Sequence, residues 1–303
     1  MPAFAAKAAS AWMSRGWLLL TFTSLFWSGN VVAGRLAVGQ ISPMALTCLR
    51  WMLVSALLLA WQGGELRRQW PLLRADWTKV AWMGGLGYTG YNALFYAGAH
   101  YTTGINMAII QGAMPVMILL GSMALGRRVT RVQWVGLALT TLGVMVVATQ
   151  GEFARLLALA LNRGDLMMLL ACLFYGAYTI DLPNRPKVTP LVFMAALGLV
   201  ACVTSVPLLV AEVARGDAFW PTPAGWLIVL YVGIFPSLLA QVFFMRGVEL
   251  IGPARAGLFT NLVPVIGALL VVAILHEPFG AYHAVALALV MGGLWVTERL
   301  GRR

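Results

Sequence analysis

The chain has 303 residues, 61% of them hydrophobic and 10% charged, with a formal net charge of +11. Soluble domains carry roughly 25% charged residues, so this composition excludes a water-solvated globule and makes the bilayer the main solvent. The basic excess points to loops that fix membrane orientation, rather than to a nucleic-acid partner.

About 20 helical residues cross ~30 Å of hydrocarbon. Apolar stretches of that order lie near 17–38, 43–62, 77–97, 102–125 and 132–149, and again near 165–182, 189–213, 223–245, 253–275 and 280–297. The expected fold class is an all-α membrane protein with ten transmembrane helices. The first stretch is too long for a signal-peptide core, and no small-residue cleavage pattern follows it. It reads as a retained span. An even count puts both termini on one side. That side gathers Lys7, Arg15, Arg67, Arg68, Arg74, Lys79, Arg127, Arg128, Arg131, Arg185, Lys187, Arg246, Arg255, Arg299, Arg302 and Arg303, against Arg155, Arg163 and Arg215 on the other. The termini are therefore expected in the cytoplasm, in a multi-pass protein of the inner (plasma) membrane. Cys48, Cys172 and Cys202 lie in apolar stretches without CxxC spacing and read as buried, unpaired thiols.

Asn92–Pro115 lies over Gln241–Pro264 at an offset of 149, which pairs Gly98 with Gly247 and Pro115 with Pro264. The same offset pairs Gly143 with Gly292, while an offset of 148 brings Leu25-Phe26-Trp27 onto Leu173-Phe174-Tyr175. Two repeats of five spans are expected, 1–150 and 151–303. Five is odd, so the second repeat enters the membrane inverted, an arrangement that places a site near the midplane and provides two related conformations.

The residues resemble the drug/metabolite transporter superfamily, in its EamA-type ten-span branch. The resemblance rests on Phe26-Trp27-Ser28-Gly29-Asn30, Arg35, Ser42-Pro43, Leu49-Arg50, Tyr96-Ala97-Gly98-Ala99 and Met114-Pro115. It continues through Gly247, Asn261-Leu262-Val263-Pro264-Val265, Glu277 and Gly292-Gly293, and so covers nearly the whole chain. The aromatic early spans look like those of YddG-type amino-acid exporters. The resemblance implies export of small metabolites, amino acids foremost. One departure is visible: the Gly-Glu pair that the family often carries after the fourth span is here Gly126-Arg127, and its mate is His276-Glu277.

Polar groups at membrane depth face a cavity or another helix. Tyr88, Tyr91, Asn92 and Phe95 share one face at i, i+3, i+4, i+7. They read as a cavity wall, or else as a packed seam. Trp27 and Asn30 show the same pairing as their repeat mates Tyr175 and Tyr178, and Gln241 stands opposite Asn92 across the repeat. Asn106, Gln111, Thr260 and Asn261 add neutral hydrogen-bonding groups. Arg50 is deep enough to need partners, either as support or to attract an anionic substrate group. Pro115, Pro236 and Pro264 fall inside spans, with Gly87 at the repeat position of Pro236. These four are candidate hinges.

No carboxylate falls at a midplane position, so facilitated efflux fits better than proton exchange. No cofactor or metal is expected, and no GxSxG elbow, HExxH or P-loop speaks for an enzyme. A receptor or assembly subunit would leave the repeat without a purpose. Another solute, such as a drug, sugar phosphate or nucleotide sugar, stays open as the cargo. The expected partners are lipid and an amino acid or similar small molecule.

Overall fold

The computed structural model describes residues 16–124, 126, 130–152, 162–251 and 259–296. Lys7, Arg15, Arg127, Arg128, Arg155, Arg255, Arg299, Arg302 and Arg303, on which the orientation partly rests, lie outside the described residues, as does the start of the ninth expected span.

The described helices group into ten rods. α1 is Gly16–Leu36 and α2 is Pro43–Ala75. α3 joins α-helical Trp77–Trp82, a wider π-helical stretch Met83–Gly90 and α-helical Tyr91–Gly98. α4 consists of Gly104–Gln111 and Met114–Ala124, and α5 is Arg131–Ala148. α6 is Arg163–Asp181 and α7 is Pro190–Ala214. α8 joins Pro223–Val232, a π-helical Gly233–Leu239 and Ala240–Ile251. α9 is Val263–Leu275 and α10 is Ala281–Trp295.

Local chemistry sets the starts. Pro43, Pro190 and Pro223 open helices where a missing N–H costs nothing, and the Thr103, Thr130 and Thr222 hydroxyls cap free N–H groups of the first turn. Gly16–Leu36, Pro43–Ala75, Arg131–Ala148, Arg163–Asn184, Pro190–Ala214 and Pro223–Leu250 are long and apolar enough to cross a membrane, while α9 and α10 are apolar but shorter. Val203, Leu227 and Leu269 stand on the periphery, each more than 60% exposed, as a lipid-facing surface requires.

Two expectations change. The second span, expected to end near 62, continues as helix to Ala75. At 1.5 Å per residue its 33 residues reach about 50 Å, so the last turns extend past the hydrocarbon, and Glu65 there accepts from Arg68 at 2.7 Å. Pro264 and Pro115 do not bend continuous helices. Turns at Asn261–Leu262 and Gly112–Ala113 break the rods first, and each proline is the second residue of the helix that follows, where a backbone N–H would have no partner anyway.

The packing is reciprocal. α1 lies against α8 and α9, and α6 lies against α3 and α4; α2 pairs with α7, and α5 with α10.

Candidate functional site

The site begins with the two π-helical stretches. In α3, the Tyr91 N–H bonds the Leu86 carbonyl five residues back, which widens the helix and shifts its register. Glycines bring this stretch against its neighbours. A Cβ on Gly87 would lie 2.6 Å from Tyr178 Cβ, and one on Gly90 would lie 2.7 Å from Phe174 Cδ2. In α8 the cause differs. Pro236 has no N–H to offer the Val232 carbonyl, and the Ser237 hydroxyl donates to that carbonyl at 2.5 Å instead. Trp27 Nε1 donates to the Pro236 carbonyl at 3.2 Å.

Both stretches lead to Arg50. Its Nε donates to Ser237 Oγ at 2.6 Å, and its Nη1 to Asn92 Oδ1 at 2.6 Å, Tyr96 OH at 2.5 Å and Asn30 Oδ1 at 3.5 Å. Tyr96 OH also donates to Asn30 Oδ1 at 2.9 Å. Asn92 Nδ2 donates to the Tyr88 carbonyl at 2.6 Å, which turns its oxygen toward the guanidinium. One arginine of α2 thus ties α1, α3 and α8 together through neutral acceptors.

Beside it runs a file of rings from α2 through α3 to α6. Trp51 stacks on Tyr88 at 4.6 Å between centroids, Tyr88 meets Tyr178 at 5.6 Å, and Tyr178 meets Tyr175 at 5.2 Å. Tyr175 meets Tyr91 at 5.2 Å, and Tyr91 meets Phe95 at 5.8 Å. Offset and tilted rings at these spacings attract through their quadrupoles. Gln111 Nε2 donates to Tyr91 OH at 2.8 Å, and Gln241 faces the Tyr175 hydroxyl. The sequence-derived residues Asn30, Tyr88, Tyr91, Asn92, Phe95, Gln111, Tyr175, Tyr178 and Gln241 are brought into this cluster.

Other candidates fall outside it. Trp27 packs on Phe244 at 5.4 Å along the α1–α8 seam. Asn106 Nδ2 approaches Asp165 Oδ1 at 3.5 Å, and Thr102 Oγ1 donates to the same oxygen at 2.5 Å. Thr260 and Asn261 lie at the break before α9. The cluster is packed ring to ring; cavities of about 370 and 320 Å³ lie elsewhere, between α2, α7 and α8 and between α5 and α10.

At the end where α1 finishes, two carboxylates hold helix N-termini. Glu277 pairs with Arg35 at 3.2 Å and accepts from the Gly104 and Ile105 N–H groups at 3.0 and 3.2 Å. Arg35 also donates to the Ala99 carbonyl. Glu212 of α7 accepts from the Met44 and Ala45 N–H groups at 3.2 and 3.3 Å, so it caps α2 from across the fold. His100 lies at this end, where burial and then the Arg35 charge lower its pKa, with Glu212 acting against them.

A family model described as the EamA-like transporter family matches residues 14–149 and again 162–299. The chain belongs to the EamA-like transporter family. It is 25% identical to the uncharacterized transporter YyaM of Bacillus subtilis (strain 168), over 92% of each chain. It is 23% identical to the uncharacterized inner membrane transporter YedA of Escherichia coli (strain K12), over 90% of this chain and 89% of that one. A solved structure described as "Crystal structure of protein" shares the fold, with a TM-score of 0.65 over 96% of this chain and 98% of that one, at 22% identity. Membership in this family makes the protein a multi-pass membrane transporter.

Sequence reasoning missed Trp51 and Ser237 as members of the site, and met Tyr96 only as part of a motif. For Ser237 a signal existed. A serine after a mid-span proline is placed to take the carbonyl that the proline leaves free.

Proposed function

We propose that the protein exports small organic metabolites, foremost aromatic or hydrophobic amino acids, across the inner membrane by alternating access between two inverted five-helix repeats. The observation that carries this reading is the cluster around Arg50, in which aromatic rings and amides from α2, α3 and α6 meet Ser237 of α8. Rings suit the apolar part of such a cargo, and amides suit its polar end.

Three observations support the repeat. The family model matches twice. The π-helical stretches of α3 and α8 fall within one residue of the 149-residue offset, and the breaks at Gly112–Ala113 and Asn261–Leu262 fall on it. The packing of α1 on α8 and α9 mirrors that of α6 on α3 and α4. With these the ten rods read as ten spans with cytoplasmic termini, and the narrower likeness to YddG-type exporters fits the ring file. Alternating access requires the packed cluster to part toward each side in turn, and the two π-helical stretches, where regular i to i−4 bonding is interrupted, are the places for the rods to bend. No carboxylate reaches the cluster among the described residues, which favours facilitated efflux over proton exchange.

The test is efflux of labelled Phe, Trp or Met from proteoliposomes. Saturable efflux that Tyr91→Ala or Asn92→Ala slows at least tenfold is expected, with no acceleration by an imposed proton gradient. If no amino acid leaves faster than from protein-free liposomes, the substrate class is wrong.

A further inference from the structure

A guanidinium withdrawn from water demands either an opposite charge or a full set of hydrogen bonds. Arg50 keeps only 6% of its surface exposed, and its hydrogen bonds go to Ser237, Asn92, Tyr96 and Asn30, all neutral. Among the described residues no carboxylate lies within ion-pair distance of it; the cations that do hold carboxylates are Arg35, Arg68, Lys79, Arg215 and Arg246. Its Nη2 makes no hydrogen bond among the described residues. The faces of Trp51 and Tyr96 lie 5.4 and 5.8 Å from the guanidinium carbon and wall the charge with aromatic surface. The site therefore holds one uncompensated positive charge beside a file of rings.

We infer that Arg50 is the receptor for a carboxylate on the transported molecule, and that the site selects aromatic or hydrophobic monocarboxylates by that group rather than by an ammonium. This rests on the transporter reading above. Arginine takes a carboxylate through two parallel N–H bonds, and charge-assisted bonds are roughly twice as strong as neutral ones. A carboxylate arriving at the Nη1–Nη2 edge finds Nη2 without a partner, and on Nη1 it competes only with the amide and phenol oxygens of Asn30, Asn92 and Tyr96. An ammonium finds no such partner. Gln111 Oε1, buried and unpartnered beside Tyr91, offers it a neutral acceptor only. Because Arg50 Nε also holds Ser237, whose hydroxyl occupies the carbonyl freed by Pro236, cargo binding at the other edge is linked to the break in α8.

Two measurements on the full-length protein test this. In proteoliposomes loaded with unlabelled phenylalanine, uptake of labelled phenylalanine is challenged with 3-phenylpropanoate, phenylalaninamide and phenethylamine. The propanoate is expected to compete within about threefold of phenylalanine, and the amide and amine at least tenfold more weakly. Equal competition by the amide overturns the carboxylate receptor and leaves amino-acid transport standing. The second measurement needs no transport: thermal unfolding of the purified protein with 3-phenylpropanoate or 3-phenylpropanol. Stabilisation by the acid alone, kept in Arg50→Lys and lost in Arg50→Gln, supports the receptor even if no amino acid moves. Equal stabilisation by acid and alcohol, none by either, or stabilisation by the acid that persists in Arg50→Gln, overturns it. Should Arg50→Gln not fold, the unsubstituted protein decides: stabilisation by 3-phenylpropanoate and not by 3-phenylpropanol supports the receptor, and equal stabilisation by the two, or none, overturns it.

Discussion

α3 and α8 carry the same deformation at equivalent places and reach it by different chemistry. In α3, glycines let a widened helix lie against Tyr178, Phe174 and Val200 with no room for a side chain. In α8, a proline removes one backbone donor and a serine hydroxyl takes the orphaned carbonyl. The first device depends on shape, the second on hydrogen bonding. Both end at Arg50, through Asn92 on one side and Ser237 on the other. Two halves can thus reach one backbone geometry by different means, with a close-packed glycine, Gly84 in one and Gly233 in the other, as the residue they share at that place.

Substitutions separate the two devices. Gly87→Ala puts a Cβ 2.6 Å from Tyr178 Cβ, backbone-proximal atoms that cannot turn aside, so the largest loss is expected here, about 3 kcal/mol. Chemical unfolding in mild detergent measures it, and a loss below about 0.5 kcal/mol would mean that the close approach is not needed. Ser237→Ala orphans the Val232 carbonyl and the Arg50 Nε together and is expected to cost about 2 kcal/mol. Ser237→Thr, which keeps the hydroxyl, should recover most of it. Glu277→Gln removes the partner of Arg35 and the charge on the α4 N-terminus, away from both stretches; about 1 kcal/mol is expected, shrinking as salt is raised. Pro236→Ala returns the missing donor and should change stability by less than about 1 kcal/mol. Its mark is kinetic: slower hydrogen exchange at 232–237 and slower efflux, because the α8 break is then bridged.

Gly87 and Pro236 were legible as equivalent special positions, since the 149-residue offset superimposes them. That they mark widened turns was not, because helix width depends on neighbours that crowd or free backbone groups. The 3.6-residue period placed Tyr88, Tyr91, Asn92 and Phe95 on one face, yet the wider turn shifts Tyr88 against the others, toward Trp51 and Tyr178. Pro115 and Pro264 looked alike as mid-span hinges and proved to open helices after a break. Glu212, one of the carboxylates that fall away from the midplane, is buried and caps α2 from across the fold, a pairing that 167 intervening residues hide from sequence.

The solvent, the all-helical class and the family can be read from the chain alone, because they follow from apolar length, charge scarcity and motif order, all local properties. What surrounds Arg50 follows from packing. Its acceptors come from residues 30, 92, 96 and 237, and a hydrogen bond is a matter of distance and angle between atoms that sequence separation leaves free. The chain announces that a buried arginine needs partners; which oxygens meet it, and that none carries a charge, is settled by the packing of α1, α3 and α8 around α2.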